Sequence, residues 1–99
     1  MFVMREVMHC KPGQVRALVE KFRVLSAALE EMGGQPLRLL TDVSGEQFWT
    51  LVIEASVEHV EDFFAFEQKL MANPTVRDNM AGYHDLVDNG RREIYRVEA

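Results

Sequence analysis

The stretch Gln47–Ala55, QFWTLVIEA, constrains the fold of this chain more than any other. It gathers Phe48, Trp49, Thr50, Leu51, Val52 and Ile53 into one run of β-branched and aromatic residues, the composition of a strand. In an extended backbone Trp49, Leu51 and Ile53 point one way and Phe48 and Val52 the other, so both faces are apolar. Such a strand needs cover on both sides and belongs in the middle of a sheet. Helices of the same chain can cover one face. The other face needs a second source of cover.

The rest of the chain supplies those helices. Phe2–Cys10 reads as a first strand, with Phe2, Met4, Glu6, Met8 and Cys10 on one face and Val3, Arg5, Val7 and His9 on the other. Lys11-Pro12-Gly13 breaks it. Val15, Leu18, Val19, Phe22, Leu25, Leu29 and Met32 then recur at helical spacing until Gly33-Gly34 ends the helix. Pro36–Val43 reads as a second strand, joined through a turn at Ser44-Gly45-Glu46 to Gln47–Ala55. Ser56 is the expected N-cap of a second helix, which carries Val57, Val60, Phe63, Phe64, Phe66 and Leu70 and stops at Asn73-Pro74. Thr75 and Asp78 have capping-box spacing for a short third helix reaching about Leu86. Asn89-Gly90 signals a tight turn before a last strand, Arg91–Val97. The order β-α-β-β-α-(α)-β in a single domain, residues 1–99, predicts a ferredoxin-like α+β fold. Its antiparallel sheet has strand order 4-1-3-2, with both long helices on one face. The opposite face, apolar in either register, then implies a homodimer whose sheets pack together and whose edge strands pair into a barrel.

A net charge of −5 argues against nucleic acid and anionic membrane surfaces as partners, since both need basic patches. No apolar run reaches the roughly 18 residues of a membrane span. The first ten residues contain Glu6 and no long apolar core, so no secretory signal is expected. The single cysteine, Cys10, cannot form an internal disulfide, and a cytoplasmic location is expected. His9, His59, His84 and Cys10 have no metal-ligand spacing, and no glycine-rich nucleotide loop or GxSxG elbow is present. Neither a metal nor a cofactor is expected. Four residues stand out as candidates for a pocket. Glu6 is a carboxylate on an apolar strand face, either a base or the partner of an arginine such as Arg38 or Arg96. Tyr83 and His84 pair an aromatic hydroxyl with an imidazole suited to proton transfer; otherwise they pack at a helix end. Trp49 is the fourth. Met4, Met8, Met71 and Met80 offer an adaptable apolar lining, or simply core.

CKPGQV after the first strand, the LLTDVSGEQFWTLV hairpin and the segment ANPTVRDNMAGYHDLVDNGRREIYRVE together resemble the dimeric α+β barrel superfamily. Within it, Asn73–Glu98 is most similar to NIPSNAP-like and antibiotic-biosynthesis-monooxygenase-like proteins. The resemblance implies a homodimer and a cofactor-independent monooxygenase, or a related enzyme, acting on a small apolar or aromatic molecule. The alternative is a non-catalytic ligand-binding or scaffold dimer. Haem-degrading members of the superfamily carry a Trp at the far end of the third strand and a haem-ligating His before the last strand. Here the strand ends Ile53-Glu54-Ala55, and Asn79 and Met80 stand near the ligand position, with His84 a turn later.

Overall fold

The structure is a computed structural model describing all residues, Met1–Ala99. Its elements are β1 (Phe2–Cys10), α1 (Val15–Glu31), β2 (Arg38–Thr41), β3 (Thr50–Val57), α2 (Val60–Ala72), α3 (Pro74–Met80), a 3-10 turn (Tyr83–Leu86) and β4 (Val87–Arg96). The strands form one antiparallel sheet in the order β2-β3-β1-β4, the ferredoxin-like arrangement expected from the chain. No helix is long and apolar enough to cross a membrane.

α1 is the best-anchored helix. Leu18, Val19, Phe22, Leu25 and Leu29 are buried and pack with Met8, Cys10, Leu51, Ile53, Leu70 and Val76. Its end is a Schellman arrangement: Gly33 takes φ 89°, the Gly34 amide bonds Leu29 O and the Gly33 amide bonds Glu30 O. Gly34 also lies so close to Leu29 that a Cβ would stand 2.7 Å from Leu29 Cδ1. Both glycines are thus required, one by dihedral and one by space.

Five boundaries differ from the sequence reading, the first being β2, which spans Arg38–Thr41 of the expected Pro36–Val43. β3 begins at Thr50 because Trp49 sits at φ 60°, outside the extended region. Asp42 Oδ1 accepts from the Thr50 amide at 2.8 Å, so the hairpin connection runs from 42 to 49 and leaves Phe48 exposed. Ser56 does not cap a helix; it pairs with Val3, β3 continues through Val57, and α2 starts at Val60. α3 is capped by Asn73, whose Oδ1 accepts from the Thr75 and Val76 amides, with Pro74 in the first turn; the Thr75/Asp78 box is unused. Asn89-Gly90 is not a turn. It lies inside β4 next to a register shift at His9/Cys10, and a Cβ on Gly90 would come within 3.1 Å of Val7 O.

The register settles which residues face the helices. Met4, Glu6 and Met8 align with Ala55, Ile53 and Leu51 on one side and Ile94, Arg92 and Gly90 on the other. The opposite face carries Val3, Val7, Leu40, Val52 and Tyr95, and it is not purely apolar as expected. A row of ion pairs crosses it. Glu54 lies 3.7 Å from Arg38 and 3.1 Å from Arg5, and Glu93 lies 3.9 Å from Arg5 and 2.9 Å from Arg91. Arg5 Nε is buried and, though near Glu54, too poorly aligned to donate a hydrogen bond. The hydrogen bond from Arg91 holds the Glu93 carboxyl below its usual range.

Candidate functional site

A cleft of about 1450 Å³ lies on the helix side of the sheet. Its floor includes Met4, Met8, Ile53 and Ala55 from β1 and β3. Phe22, Leu25 and Leu29 of α1 form one wall, Phe63, Phe66 and Leu70 of α2 another, and Met80, Tyr83 and His84 close an end. The space survives because the two long helices cover the sheet unequally. α1 buries six of its residues, while α2 buries only Leu70. Ligand sites are commonly a few hundred to about 1,000 Å³ and mostly apolar. This cleft is large enough for such a ligand and open to solvent. Met4, Met8, Met71 and Met80 all line it, the arrangement the methionine pattern offered.

Three of the four candidate residues line this cleft: Glu6, Tyr83 and His84. Trp49 does not. It lines a separate depression of about 490 Å³ with Gly13, Arg16, Asp42 and Phe48, between the β1–α1 turn and the β2–β3 connection. The left-handed backbone at Trp49 is what carries its ring away from the β3 face. Tyr83 and His84 sit on the 3-10 turn, started by Gly82 at φ 81°, with ring centroids 4.0 Å apart. Tyr83 packs against the core and His84 is exposed at the cleft mouth.

Glu6 is engaged. Its Oε1 accepts from Arg92 Nε at 2.8 Å and also pairs with Arg92 Nη2. Arg92 Nη2 in turn reaches Glu67 Oε2 of α2 at 2.6 Å. The guanidinium lies 5.5 Å from the Phe63 ring centroid and 5.8 Å from that of Phe64. Burial works to lower the Arg92 pKa, but the hydrogen bonds it donates to Glu67 and Glu6 outweigh it and the pKa is raised. Sequence reasoning anticipated an arginine for Glu6 but named the wrong ones. Arg38 pairs with Glu54, and Arg96 lies over Phe2. Facing residues follow from register, and the register depended on where β4 starts, which the Asn89-Gly90 signal misplaced. Glu67, Phe63 and Phe66 were missed altogether as lining residues.

Two further groups take structural places. Cys10 is buried; burial first, then Asp88 and Asp42, push its thiol pKa up, which keeps it in its unreactive form. His9 Nδ1 lies 3.2 Å from Thr50 Oγ1, on the sheet face away from the cleft. Asn79, near the position the haem-degrading proteins give to a ligand, is occupied by α1. Its Nδ2 donates to Lys21 O at 2.8 Å, and Lys21 Nζ donates to Asn79 O at 2.7 Å. No group of three or more His, Cys, Asp or Glu side chains is placed to hold a metal ion.

No protein-family model matches the chain, and no curated protein matches its sequence. Solved structures do match. An uncharacterized NIPSNAP domain protein from Burkholderia xenovorans superposes with TM-score 0.81 at 15% identity, over 100% of this chain and 96% of that one. A NIPSNAP family protein of unknown function from Agrobacterium tumefaciens gives TM-score 0.81 at 16% identity, over 98% and 87%. A Nitrosomonas europaea protein provisionally named an antibiotic biosynthesis monooxygenase gives TM-score 0.71 at 18% identity, over the whole of both chains. At these identities the likeness is one of architecture. The chain has the ferredoxin-like α+β fold shared by NIPSNAP and antibiotic-biosynthesis-monooxygenase-like proteins.

Proposed function

We propose that this chain binds a small apolar or aromatic molecule in the cleft between the sheet and the helices, and oxygenates it without a cofactor. The observation that carries the reading is the cleft itself, walled by Met4, Met8, Phe22, Phe63, Phe66 and Met80 with Tyr83 and His84 at one end. Cofactor-independent oxygenation asks little else of a protein. The substrate gives up all four electrons, a CH2 between electron-rich rings becoming C=O; one oxygen of O2 enters the product and the other leaves as water. A protein group is needed to take the substrate proton, and the nearness of the His84 imidazole to Tyr83 at the cleft end supports His84 for that role. A second reading, ligand binding without catalysis, is favoured by one fact: Glu6, the other candidate base, is already spent on Arg92.

Methyl NMR on methionine-labelled protein tests the site that both readings share, and oxygen uptake separates them. On adding 2-naphthol, the methyls of Met4, Met8 and Met80 should shift, whereas Met32, which does not line the cleft, should not. A shift pattern that spares the first three sinks the site. Oxygen uptake above a protein-free blank, with a panel of electron-rich phenols and diaryl methylene ketones, supports oxygenase chemistry. Binding with no uptake across the panel favours the second reading.

The same proposal includes a cytoplasmic homodimer formed through the helix-free sheet face. Val3, Val7, Leu40, Val52 and Tyr95 lie on that face, and half of Tyr95 is exposed. The ion-pair row alternates Arg and Glu, so a second copy related by a twofold axis can set unlike charges opposite one another. Light scattering after size exclusion, at micromolar protein, should give twice the chain mass. A monomer at that concentration, with Tyr95 fluorescence unaffected by dilution, rejects this interface.

A further inference from the structure

We infer that α2 is a lid on the cleft and that the Glu67–Arg92 pair is its latch. This rests on reading the cleft as a ligand site, but the latch itself is tested without any ligand. α2 buries one residue, Leu70 near its C-terminal end, whereas α1 buries residues along its whole length. The N-terminal half of α2 therefore stands over empty space. Arg92 ties the middle of the helix to the sheet: paired with Glu6 of β1, it reaches Glu67 at 2.6 Å, and Phe63 and Phe64 of the N-terminal half lie against its guanidinium.

The two ends of the helix differ: His59 precedes it in an extended conformation with no side-chain cap, whereas Asn73 at the other end is held as the cap of α3, so the N-terminal part is the one free to swing. Both Glu6 and Arg92 are strand residues in register with each other, so their pair remains when α2 swings away. Glu67 is the part that travels. Side chains of all three are about one-third exposed, which leaves the latch open to screening by salt.

The test is hydrogen exchange on the full-length protein, comparing wild type with Glu67→Gln. The substitution is isosteric and at the surface, so the fold is kept. Amides of Val60–Ala72 should exchange about two- to fivefold faster in the variant, the range set by a partly exposed ion pair, with α1 and β1 unchanged. Raising salt to about 1 M, where the Debye length falls to roughly 3 Å, should speed α2 exchange in wild type and leave the variant unmoved. A purely structural loss of stability would not produce that difference in salt response. Identical α2 exchange in the two proteins overturns the latch. Acceleration spread equally through α1 and β1 overturns the lid, because the effect is then global. If α2 responds as expected and 2-naphthol nonetheless fails to shift the cleft methionines, it is the ligand-site reading that falls.

Discussion

Replacing Leu51 by Ala is expected to destabilise the protein by about 2–5 kcal/mol, the largest effect of any single truncation in the sheet. Leu51 is fully buried near the start of β3, between Met8 of β1 and Thr41 of β2, and it packs in the cluster with α1. The cavity left would be ringed by strand backbone and the well-anchored α1, neither of which can collapse into it. Only 16 of the 99 residues are buried, so each core side chain carries a large share of the total. Domains of this size are stable by about 5–15 kcal/mol. Urea unfolding should show a much lower midpoint with an unchanged slope. As a control, Ile94→Ala, on the helix side of the edge strand β4 but 42% exposed, should cost less than about 1 kcal/mol. Equal losses at the two positions would contradict the assignment of the core to the β1–β3–α1 contact.

The large features were legible because several signals agreed. The apolar spacing from Val15 to Met32 and the double glycine after it define α1 with no competing reading. The apolar character of both faces of Gln47–Ala55 identified a central strand, and the element order set the first strand beside it. Failures came where a local signal was overruled by something distant. Asn89-Gly90 has turn chemistry, but the glycine is needed for the close approach of β4 to Val7 O. Ser56 is a good cap, but the ladder with Val3 holds it extended. Phe48 and Trp49 have strand propensity, yet the turn built on Asp42 and Thr50 keeps them out of β3. The cleft was only half legible. Glu6 on the Met4/Met8 face announced a buried polar partner, and the methionines announced a soft lining. Which arginine answers Glu6, and that Glu67 answers the same arginine from α2, depend on register and helix placement that a single chain does not spell out.

A small aromatic molecule in the cleft is expected to occupy the space above Ala55. Ala55 is the smallest side chain on the cleft floor, partly exposed, on β3 opposite Met4. Ala55→Trp puts an indole into that space while keeping a strand-compatible residue in place. Overpacking costs in cores run to about 1–3 kcal/mol, and an open cleft should lie at the low end. Calorimetric titration of wild type and Ala55→Trp with 2-naphthol is therefore the most direct test, with far-UV circular dichroism confirming the fold. One site per chain is expected in wild type, and at least a roughly tenfold weaker affinity in the variant, equivalent to about 1.4 kcal/mol. Unchanged binding in a folded Ala55→Trp protein, or no binding to the wild type, would contradict this placement.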